Sequence, residues 1–183
     1  LHTEERFDKR EIERRGVIPA PDSPTFKYLN VAYPCMNEKQ LAIGETTTEG
    51  RQELRRNDGM FLIEELERIA LQRCSTAREA VKLMGSLAEE YGFADNGECL
   101  TVADKNEVWH FEIYGNGTLP QNPSKKNRKA QADKPGALWV AVRLPDDHVG
   151  ISANIPRIGK VDFADTLNFM YSKDLKERTK ALG

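Results

Sequence analysis

Two helical runs joined by one capping sequence constrain this chain more than any other feature. From Met60 to Cys74, Phe61, Ile63, Leu66, Ile69 and Ala70 recur near helical spacing. Ser75-Thr76 then interrupts, and Thr76 with Glu79 spells a capping box, in which a hydroxyl and a carboxylate satisfy each other's backbone N–H groups. A second helix runs to about Tyr91, with Ala80, Met84, Leu87, Ala88 and Tyr91 on one face, and Gly92 suits a left-handed C-terminal cap. So tight a link makes the helices antiparallel neighbours, whose shared apolar surface must be buried against a sheet.

The flanking segments supply that sheet. Phe26–Tyr33 is rich in aromatic and β-branched residues and reads as a strand, paired through the Tyr33–Gln40 connection with a second strand, Leu41–Thr47. Arg51–Gly59 is a polar loop. After the helices, Glu98–Asp104, Glu107–Ile113, Leu138–Leu144 and His148–Ala153 read as strands, with turns at Lys105-Asn106 and Pro145-Asp146-Asp147. Lys173–Leu182 is a polar helix. The fold class is therefore α+β, with helices segregated on one face of a sheet. Residues 1–24, charged and then Pro-rich, read as a connector, and residues 25–183 as the domain, carrying a mobile Pro/Gly/Asn/Lys insertion at 115–136.

Composition removes several function classes. With 39% hydrophobic and 31% charged residues in 183, the chain is globular and long enough for a sizeable core. A net charge of −2 gives no general attraction to nucleic acid or anionic membrane. The lysines of the 115–136 insertion lack interleaved aromatics for base stacking, so no nucleic-acid partner is expected. No apolar run is long enough to span a bilayer. The polar start Leu1–Arg6 has no signal-peptide character, which leaves the compartment open if residues precede it. Cys35, Cys74 and Cys99, like His2, His110 and His148, are dispersed, so neither a disulfide framework, a metal site nor a cofactor is expected.

The chemistry concentrates in Met36-Asn37-Glu38-Lys39-Gln40-Leu41-Ala42-Ile43-Gly44-Glu45-Thr46-Thr47. A neutral amide at a strand entrance, here Asn37, can donate to a developing oxyanion. Asn37 can equally be a turn residue bonding its own backbone. This segment resembles the "MNE…IGET" signature of the cysteine-type dipeptidases among the N-terminal-nucleophile hydrolases. The resemblance continues through Leu71-Gln72-Arg73, Thr76-Ala77-Arg78-Glu79-Ala80, Thr101-Val102-Ala103-Asp104, Trp139-Val140-Ala141-Val142-Arg143-Leu144-Pro145-Asp146-Asp147, Ser152-Ala153-Asn154-Ile155-Pro156-Arg157-Ile158 and Tyr171-Ser172-Lys173-Asp174-Leu175, in order, from about Val17 to Leu182.

That resemblance implies an αββα sandwich, incomplete here, and hydrolysis of a dipeptide or small amide through a thiol ester on an N-terminal Cys whose own amine is the base. The chain starts at Leu1, so the nucleophile and its strand are expected to lie outside it, leaving the chain alone inactive. The family's last motif usually reads A-H-A-N-Q-x-R-I; here Ser152 stands where its His would be, while Asn154 and Arg157 remain. The resemblance puts Asn154 near the nucleophile, orienting its amine or the oxyanion, against a turn Asn closing a strand. Arg157 can hold a substrate carboxylate or pair internally with Asp162. Glu45 can hold a substrate ammonium, or pair with Arg51. Cys35 follows Pro34 with no nearby His and reads as an inert thiol, and Trp109 and Trp139 read as core. Two other functions fit the same scaffold, a non-catalytic peptide-binding module and an N-acyl amide hydrolase. Exposed sheet edges would favour a homo-oligomer.

Overall fold

The computed structural model describes residues 16–117 and 134–182. Among the described residues there are five strands, β1 (Ala42–Thr47), β2 (Glu98–Ala103), β3 (Val108–Gly115), β4 (Ala137–Arg143) and β5 (Phe169–Tyr171), and three α-helices, α1 (Ile63–Arg73), α2 (Ala77–Tyr91) and α3 (Leu175–Leu182). The strands form one antiparallel sheet in the order β1-β2-β3-β4-β5. The α+β class holds, and a sheet with its helix layer is what part of an αββα plan would show. The 115–136 insertion falls mostly, and the 1–24 connector partly, outside the described residues.

Each helix forms for a visible local reason. The α2 capping box is complete: Thr76 Oγ1 accepts from Glu79 N, and the Glu79 carboxylate accepts from the backbone N–H of Ser75 and Thr76. A further first-turn N–H, that of Ala77, donates to Asp104 Oδ2 at 2.8 Å, while Asp104 Oδ1 accepts from Asn106 and Glu107 at the β2–β3 turn. One carboxylate thus ties the helix start to the hairpin. Burial opposes the charge of Asp104, but those N–H bonds outweigh it and hold the group below its ordinary range. Gly92 has the expected positive φ of 89°, though its ψ of 146° is extended and not left-handed helical. Helix α1 begins at Ile63, three residues later than its periodicity suggests, because Phe61 forms a bridge with Phe93.

The helix pair packs on one face of the sheet. The register puts Ile43, Leu100, Val102, Trp109, Phe111, Ile113, Trp139, Ala141 and Met170 on that face, all buried. Gly85 on α2 lets the Trp139 ring approach, since a Cβ there would lie 2.3 Å from it. The Trp139 ring N–H donates to Glu89 at 2.9 Å. Arg78 lies over the Trp109 ring at 4.7 Å and pairs with Glu107, which also accepts from the Trp109 ring nitrogen.

Two expected strands are absent. Phe26–Tyr33 is irregular, with a single bridge from Tyr28 to Asn37, and β1 pairs with β2 instead. Leu29, Val31 and Tyr33 are exposed, while Tyr28 packs against the core. His148–Ala153 is likewise not a strand, with Val149 and Ile151 90% and 69% exposed. The turn at Asp146-Asp147 forms, but the free edge of β4 is taken by β5, so the chain passes on over the other face of the sheet.

Candidate active site

Residues 144–168 form a strap held across the sheet face opposite the helices. Ser152 Oγ bonds Thr101 Oγ1 at 3.1 Å and lies 3.5 Å from Cys99 Sγ. Glu112 Oε1 accepts from the backbone N–H of Arg157 and, at 3.0 Å, from that of Ile158. Gly150 lies directly over His110, where a Cβ would come 2.5 Å from Nε2. His110 is buried with Nε2 unpartnered, and burial lowers its pKa.

The strap brings Asn154 to the end of β1. Its amide donates to Thr47 O at 2.8 Å, and the Thr47 hydroxyl donates to Glu45 Oε1 at 2.9 Å. Asn154, Thr47 and Glu45 are thus contiguous, and Arg157 follows on the same strap. The Arg157 side chain is exposed and makes no hydrogen bond or ion pair among the described residues, Asp162 included. Glu45 accepts from the Thr47 hydroxyl, and the Arg51 guanidinium donates to Leu182 O.

Asn37 is placed differently. It is buried at the entrance to β1, and its amide is fully engaged. Nδ2 donates to Leu71 O at 2.8 Å and to Cys74 O at 2.9 Å, while Oδ1 accepts from Lys39 N and Leu41 N. Leu71 and Cys74 close α1, where the last carbonyls have no intrahelical partner. Phe26 N caps the neighbouring Gln72 O in the same way. The side chain is therefore a cap for α1 and a brace for the Asn37–Leu41 turn, in which Gln40 takes a φ of 66°. Serving an oxyanion would require one N–H to leave Leu71 or Cys74.

None of the three cysteines has the setting of a nucleophile. Cys74 and Cys99 are buried; burial pushes the Cys74 thiol up to about 12 and raises Cys99 as well. Cys35 is exposed, not packed away, and no hydrogen bond reaches its sulfur among the described residues. No group of three potential metal ligands is present among the described residues.

One feature escaped the sequence reading. Glu67 lies fully buried in α1, and neither carboxylate oxygen has a hydrogen-bond partner. Burial pushes its pKa up to about 8, with the charges of Glu45 and Glu64 adding to the effect. Glu98, buried on the helix-facing side of β2, is also raised, by burial first and then by the neighbouring Glu45 carboxyl. The signal was present: Glu67 occupies the apolar stripe four residues from both Ile63 and Leu71, and Glu98 alternates with Leu100 and Val102.

A model of Peptidase family C69 matches residues 20–182. A "Probable dipeptidase" of Latilactobacillus sakei is 34% identical over 109 residues, 60% of this chain and 19% of that protein. A "Probable dipeptidase B" of Lactococcus lactis is 33% identical over 115 residues, 62% of this chain and 19% of the relative. "Dipeptidase A" of Lactobacillus helveticus is 30% identical over 115 residues, 62% of this chain and 20% of its own length. The matched stretch thus spans about a fifth of each relative. No solved structure matches the chain.

Proposed function

The chain belongs to peptidase family C69, and from that premise we propose that it forms part of a dipeptidase acting through a cysteine thiol ester. The family match over residues 20–182 carries this reading, and the names of the relatives support the substrate class. Because Cys74 and Cys99 are buried with raised pKa values, and no hydrogen bond reaches the Cys35 sulfur among the described residues, the nucleophile is assigned to a cysteine outside residues 1–183. Its thiolate attacks the scissile carbonyl, the amine of the second residue leaves, and water releases the acyl group.

In this reading the strap presents the polar groups. Asn154 is given the role of orienting the nucleophile's amine or the oxyanion, and its bond to Thr47 O, which fixes the side chain, supports that role. The Arg157 guanidinium holds the substrate carboxylate. Glu45 faces the substrate ammonium. Asn37 acts as a positioning residue, fixing the turn that launches β1.

The test is hydrolysis of L-alanyl-L-alanine by the longer protein from its native source, with and without iodoacetamide. Turnover abolished by alkylation, with none from the 183-residue chain, is the expected result. Turnover by the 183-residue chain that Cys35→Ser abolishes would overturn the assignment of the nucleophile, and no turnover by the longer protein would overturn the dipeptidase reading.

A further inference from the structure

The strap is fastened to the sheet by its own side chains at Ser152 and Asn154, and by a side chain of the sheet at Glu112. The Glu112 fastening differs in kind. Its carboxyl, on β3, is only 2% exposed, and one oxygen, Oε1, accepts from the backbone N–H groups of both Arg157 and Ile158. Those two N–H groups belong to the peptide units on either side of the Arg157 Cα, so together they fix its backbone dihedrals and the direction in which its side chain leaves. Pro156, just before, has a locked φ and no N–H of its own to compete for the carboxyl. Burying a carboxyl under a loop is costly, and what it supplies in return is a pair of strong, geometrically demanding bonds. Were Arg157 structural, its guanidinium would take so close a carboxyl. Instead the backbone takes it, and the guanidinium stays exposed with no hydrogen bond or ion pair among the described residues.

We propose that Glu112 is the positioning residue of the substrate-carboxylate subsite: by clamping the backbone on both sides of Arg157, it aims the guanidinium at the C-terminal carboxylate of the dipeptide. The subsite rests on the dipeptidase reading and on the role given there to Arg157; the clamp does not. Glu112 itself, covered by the strap, acts only through Arg157. A guanidinium whose stem leaves a fixed backbone can offer two N–H groups to a carboxylate at once, and one on a swinging loop loses that bidentate fit. The Arg157 charge acts on His110 and on Cys99, so the exposed guanidinium stands over β2 and β3, the strands that carry them. The register pairs Cys99 with Glu112, and the Cys99 sulfur lies 3.5 Å from Ser152 Oγ, so the clamp and the Ser152 fastening hold neighbouring points of the strap, with Asn154 between Ser152 and Arg157. The consequence is specificity: a substrate with a free C-terminal carboxylate is preferred over one whose carboxylate is capped, and Glu112 sets how strongly.

The test reads carboxylate preference in the longer protein: the ratio of kcat/KM for L-alanyl-L-alanine to that for L-alanyl-L-alaninamide, which has the same scissile bond and no carboxylate. Both substrates are read on one sample, so the ratio does not depend on how much of that sample is folded. Arg157→Ala should lose the preference. Glu112→Ala should lower it by about tenfold or more, chiefly through KM for the dipeptide, and should lower it no further in an Arg157→Ala background. Glu112→Gln keeps an acceptor oxygen without the charge, so it should lower the preference by about threefold, and it supplies the reading where Glu112→Ala does not fold. A preference unchanged in the folded Glu112 variants, while Arg157→Ala loses it, overturns the proposal and leaves the dipeptidase reading standing. Arg157→Ala that keeps the preference overturns the role of Arg157 and this proposal with it. Cleavage of neither substrate by the unaltered longer protein overturns the dipeptidase reading itself. Hydrogen exchange on the 183-residue chain tests the clamp without turnover: the Arg157 and Ile158 amides should be protected and should exchange faster in the Glu112 variants, and unprotected amides in the unaltered chain overturn the clamp.

Discussion

Replacing Asn37 with alanine tests whether this residue is a cap or a free donor. Its amide makes four hydrogen bonds, two to the closing carbonyls of α1 and two from the Asn37–Leu41 turn. Lys39 is exposed, so its N–H can turn to water, whereas Leu41 is fully buried and its N–H cannot. Three bonds therefore count, at about 1 kcal/mol each, and the stranded Leu41 N–H adds more, for a total of about 3–4 kcal/mol. In a chain of this size that lowers Tm by roughly 6–16 °C. Urea unfolding of the 183-residue chain, followed by far-UV circular dichroism, measures the loss directly, with an unchanged m-value as the sign that only stability moved. A loss below about 1 kcal/mol would refute the cap and leave the amide free for the oxyanion.

The remaining structural predictions use the same unfolding assay. Folded Glu67 keeps a proton that the unfolded chain has lost, so its contribution to stability should fall by on the order of 5 kcal/mol as pH rises from about 4.5 to about 8; Glu67→Gln should make that limb shallower, leaving the part that Glu98, raised as well, contributes. Below that window the sign reverses: Glu79, Asp104 and Glu107 are held below their ordinary values, so their stabilisation is lost as acid protonates them. Gly85→Ala should cost about 1–3 kcal/mol by driving the Trp139 ring off α2, read also as a shifted tryptophan emission. Thr76→Ala should cost about 1 kcal/mol through loss of the capping box.

What the sequence made legible was local. The Thr76–Glu79 box, the Lys105-Asn106 turn and the strands on either side of it carry their instructions within a few residues, and they appear as read. Phe26–Tyr33 and His148–Ala153 failed because alternation says that a segment can pair, not that an edge remains to pair with. Three-residue β5 is too short to carry a pattern, yet it takes the β4 edge. Asn37 was legible as a hydrogen-bonding turn residue, but its partners at Leu71 and Cys74 lie more than thirty residues on, and only tertiary structure selects between cap and catalyst. Glu67 and Glu98 each broke an apolar pattern; that both are buried depends on how the helices sit over the sheet.

Asn37 and Glu67 act on the same helix, which makes their energies interdependent. Asn37 anchors the C-terminal carbonyls of α1, and that anchor fixes how the helix rests on the sheet and how deeply Glu67 is buried. With the anchor cut, α1 can lift and let water reach the Glu67 carboxyl, so its burial costs less. The stability gained from Glu67→Gln at pH 8.5 should then be smaller in an Asn37→Ala background than in the unaltered chain, with a coupling of about 1–2 kcal/mol. A double-mutant cycle at pH 8.5, repeated at pH 5 where folded Glu67 keeps its proton and burying it costs little, measures it, and the coupling should shrink at the lower pH. Additivity within about 0.5 kcal/mol at both pH values would mean that the cap and the burial of Glu67 are independent, and that something other than the α1 anchor holds Glu67 under the helix.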